Sequence, residues 1–275
     1  MRSIGRLSTI SGLALAAVWV APPLQAQDRA EAMGTTIRLI VGERHGPSVA
    51  AGLAIDLEPG WKTYWRYPGD SGVPPTLDTA GSVNVAAFTL EFPAPERFRD
   101  GSDQTIGYHR PVTLPLTITL ADPAKPAELR IKAQFGVCRD ICVPVDVSLD
   151  RRIDPAMPPD AGEAAEIAAA ETAVPAPAKA GEPFSVVKLH CDEAAKPPVV
   201  TVAIKAPPKE LKDIFVEGPE GWALPLPDRV ATAGDVTTWR FVLDGLPSGA
   251  KHEGAPLTFT IVGGDRATTQ TVTLD

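Results

Sequence analysis

The chain has 275 residues and a formal net charge of −8, a balance that would repel nucleic acid and anionic membrane surfaces. Three cysteines are an odd number and too few for a disulfide-dense scaffold, and the length suffices to bury apolar cores without covalent staples.

The N-terminus carries Arg2 and Arg6, an apolar run from Ile10 to Val20, and the small-residue segment "PLQAQ" (Pro23–Gln27). A basic start, a short apolar core and a small residue before a break describe a secretory signal over residues 1–26, cleaved after Ala26. The run falls short of the roughly 20 residues that span a bilayer, and no later segment reaches that length. A periplasmic chain with no membrane span after cleavage is expected. Outside the cytosol disulfides form and persist, so the cysteines acquire redox meaning.

Beyond the leader, period-two alternation dominates and helical periodicity is scarce. "TIRLIV", "SVAAGLAIDL", "VNVAAFTLEF", "LPLTITL", "AELRIKA" and "VPVDVSL" read as strands, each bounded by Gly, Pro or Asp turn residues. They predict an antiparallel sandwich over residues 27–153. Residues 154–182 then hold eleven alanines and five prolines with little to bury. "DAGEAAEIAAAETA" suits a short helix and "VPAPAKAGEP" a semi-rigid extended linker. A second strand set follows in residues 183–275: "FSVVKL", "PVVTVAI", "DIFVEG", "TTWRFVL", "LTFTIV" and "TQTVTL". The whole reads as all-β, two sandwiches joined by an Ala/Pro-rich linker.

Chemistry concentrates in "GVCRDICVP", residues 136–144. Leu129, Ile131, Ala133 and Phe135 alternate with Arg130, Lys132 and Gln134. Continued, that alternation places Cys138 on the polar face. Cys142 shares the parity of Asp146 and Ser148, opposite Val145, Val147 and Leu149. Both sulfurs are therefore expected to project away from the core, from two strands joined by a tight turn at Arg139–Ile141; Gly136 is a candidate bulge that would reset the register. Three intervening residues allow the approach a disulfide needs. So short a loop removes little denatured-state entropy, which makes the pair a weak staple.

A soft ion such as Cu(I) is an alternative for two thiolates. However, no histidine or methionine clusters near the motif, a closed zinc site would need four ligands, and the C-x-x-C-H of haem attachment is absent. No metal or organic cofactor is expected. The spacing also departs from the C-x-x-C of a helix N-terminus that depresses a thiol pKa, and Asp140 offsets Arg139. Such a pair suits being attacked, or passing electrons onward through a mixed disulfide. In "KLHCDE", His190 and Cys191 would point to opposite faces of a strand, so Cys191 is expected to be a buried or idle thiol rather than half of a catalytic pair.

"FGVCRDICVPVDVSL" resembles the active-site hairpin of the N-terminal periplasmic domain of the thiol:disulfide interchange protein DsbD, and more closely its relatives in the suppressor-of-copper-sensitivity (ScsB) group. "PGWKTYWRYPGDSGVPP" (Pro59–Pro75) and "IGYHRPVTLPLTI" (Ile106–Ile118) are similar to upstream family segments in the same order, and the likeness covers roughly residues 35–150. It implies immunoglobulin-like sandwiches and a Cys138–Cys142 pair that shuttles between disulfide and dithiol. Tyr64, Tyr108, Arg139 and Asp140 would surround the pair. Arg97–Thr105 would correspond to the family's cap loop, with Phe98 as its shielding aromatic. Implied partners are thioredoxin-like or other periplasmic thiol proteins, with electrons supplied by a separate membrane protein, since the family's membrane and thioredoxin-like parts do not follow here. Cytochrome c biogenesis and copper tolerance are the processes such domains would serve. Two other readings stay open: a non-enzymatic binding or assembly module with a structural hairpin disulfide, and a Cu(I)-handling protein.

Overall fold

The computed structural model describes residues 27–100 and 103–275; the predicted leader lies outside them, as do Gly101 and Ser102 of the expected cap. The fold is all-β, two antiparallel sandwiches in an immunoglobulin-like arrangement, with one helix among the described residues.

The first sandwich contains β1 (Arg29–Ala32), β2 (Thr35–His45), β3 (Ser48–Leu57), β4 (Lys62–Gly69), β5 (Thr76–Asp78), β6 (Val85–Leu90), β7 (Glu96–Asp100), β8 (Asp103–Tyr108), β9 (Val112–Leu120), β10 (Ala127–Cys138) and β11 (Cys142–Ile153). One sheet runs β1-β2-β3-β9-β6. The other runs β11-β10-β4-β8-β7, with β5 also paired to β10. Between them lies a core that includes Ile37, Leu53, Trp65, Ile106, Leu116, Ile131 and Phe135. The alternation read in β10 holds: Leu129, Ile131, Ala133 and Phe135 are buried while Arg130, Lys132 and Gln134 are exposed. The expected cap stretch is itself a hairpin, β7 pairing β8 from Glu96↔Gly107 to Asp100↔Asp103.

Seven of the ten residues of β3 are buried and none is exposed, on the inner face and the outer. The reason is α1 (Ala161–Thr172), which lies in the Ala/Pro-rich stretch and covers the outer face of the first sheet. Asp160 caps it by accepting from the Gly162 and Glu163 amides. Its buried Ile167 packs with Ile40 and Ala54. Glycines at 42 and 52 make room: a Cβ on either would come 3.0 and 3.3 Å from the Ile167 side chain. Glu166 accepts from Arg38 and from the Thr113 hydroxyl (2.6 Å), and Glu163 pairs with Arg151 at 2.8 Å. The helix expected in "DAGEAAEIAAAETA" is therefore present and docks on the first sandwich. Burying one Ile contributes roughly 1.5–3 kcal/mol, ahead of the part-exposed ion pairs around it.

The chain continues through β12 (Ala176–Pro177), β13 (Ser185–Asp192), β14 (Val199–Lys205), β15 (Asp213–Glu217), β16 (Asp228–Ala233), β17 (Val236–Val242), β18 (Pro256–Val262) and β19 (Ala267–Thr273). These form sheets β12-β19-β18-β15 and β13-β14-β17-β16 around a second core with Phe184, Val202, Trp239 and Phe259. Strand β16 escapes sequence detection because it is an edge strand exposed along its whole length. The sandwiches meet along β4 and β7. Arg66 grips Glu217 with two bonds of 2.8 and 2.7 Å, Arg97 does the same to Asp213 at 2.9 and 2.7 Å, and Trp65 packs on Phe215. Bidentate geometry makes these pairs stronger than single contacts.

Candidate functional site: a thiol pair beneath a buried tyrosine

Strands β10 and β11 pair without interruption from Ala127↔Ile153 to Cys138↔Cys142. Gly136 is thus no bulge, and the turn at Arg139–Ile141 leaves the two cysteines directly opposite one another. Cross-strand partners share a face, so both sulfurs emerge on the outer side of the hairpin. They stand 2.9 Å apart as free thiols.

Their environments differ. Cys142 is exposed, whereas Cys138 is buried, 7% accessible. Strand parity places Cys138 on the polar face, but that face is covered at this end of the hairpin. Lys62 sits opposite Cys138 in β4 and is buried with it. Two residues on, Tyr64 packs against Gly136. A Cβ on Gly136 would meet the Tyr64 ring at 2.9 and 3.0 Å and Val73 at 3.1 Å. From the other side Gly72, at φ +134, approaches the same ring so closely that a Cβ would fall 2.5 Å from Cδ1. Two glycines therefore form the bed of a fully buried tyrosine. The ring's position brings its hydroxyl 2.9 Å from Cys142 Sγ.

Burial first, then the hydrogen bonds to Cys142 and Cys138, push the Tyr64 phenol far above its ordinary range, so it stays protonated. Facing a thiolate, a protonated phenol is the donor. Burial also raises the Cys138 thiol, as does its bond to Cys142; Tyr64 and the Lys62 ammonium pull it back down. The buried sulfur is a reluctant acid with a cation beside it, and the exposed one has a donor aimed at it.

The other expected residues fall farther out. Arg139 and Asp140 form the turn, paired to each other at 3.1 Å, and the Arg139 guanidinium lies 5.3 Å from the Trp61 ring centroid. Phe98 sits on β7, edge-on to His109 and 5.7 Å from Lys62 Nζ, which links it to Cys138 through Lys62. Trp61, Lys62, Phe98, His109 and Arg139 line a common groove, and Asp140 lies outside it. Tyr108 belongs to the core of the first sandwich, and its hydroxyl donates to the Pro93 carbonyl at 2.8 Å. Sequence reasoning passed over Lys62 and Gly72 and read Gly136 only as a candidate bulge. The only available signal was the i, i+2 relation of Lys62 to Tyr64, which becomes informative once β4 is known to neighbour β10.

Residues 37–153 match the family described as "Thiol:disulfide interchange protein DsbD, N-terminal". That stretch is similar to the DsbD N-terminal domain over 117 of the chain's 275 residues. The resemblance read from the hairpin and the two upstream segments therefore holds over the region that contains the thiol pair. Among solved structures, the N-terminal periplasmic domain of ScsB from Proteus mirabilis is similar in fold across both sandwiches. Its TM-score is 0.68 at 20% identity, covering 92% of this chain and 95% of that one. The Neisseria meningitidis DsbD N-terminal domain in the reduced form matches at 14% identity over 44% of this chain and 86% of that one, with a TM-score of 0.26, too low to bear on the geometry. No curated protein sequence matches. No helix among the described residues is long and apolar enough to cross a membrane.

Proposed function

We propose that the chain is a periplasmic thiol–disulfide exchange protein whose Cys138–Cys142 pair relays two electrons between partner proteins. One observation carries the reading: two cysteines in direct cross-strand register, one exposed and one buried, with a protonated tyrosine 2.9 Å from the exposed sulfur. The DsbD N-terminal match over the same residues supports it.

In the reducing direction the Cys142 thiolate attacks a partner disulfide. An S–S bond forms between Cys142 and the partner, and the partner's other sulfur leaves as a thiolate that takes up a proton. Cys138, deprotonated beside Lys62, then attacks Cys142 Sγ and expels the partner's remaining sulfur. Cys138 and Cys142 end as a disulfide, the partner as a dithiol, and two electrons with two protons have moved. Thioredoxin-like or other periplasmic thiol proteins fit as acceptors, and a membrane-bound donor would run the same steps backwards to restore the pair. Tyr64 donates to Cys142 whenever that sulfur carries charge, both as nucleophile and as leaving group.

Trapping tests the assignment. A Cys138→Ala variant should accumulate a mixed disulfide on Cys142, and Cys142→Ala should accumulate none. In a glutathione titration the wild-type pair should equilibrate above the roughly −300 mV below which structural bridges sit. A bond that resists glutathione, together with no adduct on either variant, would mean a structural hairpin disulfide instead.

A further inference from the structure

The third cysteine is not isolated. Cys191, on β13 in the second sandwich, is buried at 8% accessibility, and its sulfur gathers with Glu193 and His252 so that one ligand atom from each lies within 4.8 Å of the others. His190, its sequence neighbour, is exposed on the opposite face as strand geometry requires. The histidine that matters comes from the loop between β17 and β18, 2.6 Å from the Glu193 carboxylate.

Two arrangements of Cys, His and an acid are chemically meaningful, and the order of contacts separates them. A nucleophile needs the imidazole between thiol and carboxylate. Here the carboxylate is in the middle, accepting from the Cys191 thiol on one side and bonded to His252 on the other. That order disables the His as a base for the sulfur. It does leave sulfur, nitrogen and oxygen atoms facing a common point. Asp192 reinforces the local negative potential that raises the thiol together with burial and Glu193. Asp192 also accepts from the Ala194 amide, which fixes the turn carrying Glu193.

We propose that Cys191, Glu193 and His252 form a divalent-metal site, with zinc the ion that suits one thiolate, one imidazole and one carboxylate. One sulfur is too few to favour Cu(I), and the mixed donor set is that of three-ligand zinc sites whose fourth position is held by water. Binding breaks the Cys191 S–H bond, releases the proton to solvent and forms a sulfur–metal bond with no change in oxidation state. The His252–Glu193 hydrogen bond opens, the 2.6 Å pair separating toward the ~3.3 Å that ~2.0 Å bonds impose in a tetrahedron. His252 and Glu193 are a quarter and a little over half exposed, so the ion would enter from solvent and the side chains have room to adjust.

Cobalt(II) alone, as a spectroscopic stand-in for zinc, tests this in the full chain carrying Cys138→Ser and Cys142→Ser, which leaves Cys191 as the sole thiol. One equivalent should produce a thiolate-to-cobalt charge-transfer band and tetrahedral d–d bands, both erased by added zinc. Cys191→Ser should remove the charge-transfer band. Glu193→Gln, at an exposed position, and His252→Gln, at a partly exposed one, should each weaken cobalt binding at least about tenfold while far-UV circular dichroism stays unaltered. The proposal is overturned if the natively folded protein gives no band with excess cobalt. It is equally overturned if the band persists at unchanged affinity in both Gln variants, which would reduce the effect to adventitious thiol binding.

Discussion

The two ends of the molecule treat buried sulfur in opposite ways. In the hairpin, Cys138 is raised by burial but faces a second sulfur, a phenol and a lysine. On β13, burial first and then the facing Glu193 carboxylate push Cys191 up to about 11. Both are thiols on antiparallel strands of similar sandwiches. The neighbours decide what each can do: positive charge and a hydrogen-bond donor favour a sulfur that takes part in exchange, whereas a carboxylate and an imidazole favour one that waits for a cation.

The contrast can be broken most severely at the exposed sulfur. Cys142→Ala should abolish exchange with a protein disulfide outright, while Cys191→Ala should leave it unchanged in a turnover assay with the same substrate. Next in size is reactivity. With single-thiol variants at neutral pH, iodoacetamide should modify Cys142 fastest. It should modify Cys191 on the order of a hundred times more slowly than an ordinary thiol, since a pKa about two units up leaves that much less thiolate. Equal rates measured by mass spectrometry would remove the distinction.

A third effect acts through the glycine bed. Gly136→Val would drive a side chain into the Tyr64 ring, for which we expect a loss of roughly 1–3 kcal/mol of stability in urea melts. Cys142 should lose its phenol contact with it. The smallest change is Tyr64→Phe, costing about 0.5–1.5 kcal/mol and slowing Cys142 alkylation at neutral pH while far-UV circular dichroism stays unaltered.

Proton linkage distinguishes the ends as well. Because folding raises the Cys191 pKa, the folded state holds that proton more tightly than the unfolded one. The associated stability is complete below the ordinary thiol range and is lost as pH rises through about 11. Thermal melts of the Cys138→Ser, Cys142→Ser protein across that window should fall more steeply than those of the same protein with Cys191→Ala.

Much of the hairpin was legible because local rules govern it: alternation along β10 and β11, a turn of three residues, and sulfurs on one face. Burial of Cys138 was not. Parity gave the correct face, but what covers that face is Lys62 and Tyr64, more than seventy residues upstream, the Tyr64 ring admitted by the missing side chain of Gly136. Likewise Ile167 in an alanine-rich segment carries no signal until Gly42 and Gly52 are seen to open the sheet beneath it. His190 drew notice as the sequence neighbour of Cys191, yet only the loop between β17 and β18 could bring a histidine to that sulfur. Contacts made by absence of a side chain, or by loops distant in sequence, leave no periodic trace.

The uninterrupted register of β10 and β11 has one more consequence. Backbone hydrogen bonds already hold Cys138 and Cys142 opposite each other as free thiols. Joining or parting them therefore asks for no rearrangement of the strands. In the proposed relay, a partner that tells the dithiol from the disulfide would meet the same strand register in both states. Discrimination would then fall on the sulfurs and the Tyr64 hydroxyl, a patch a few atoms wide.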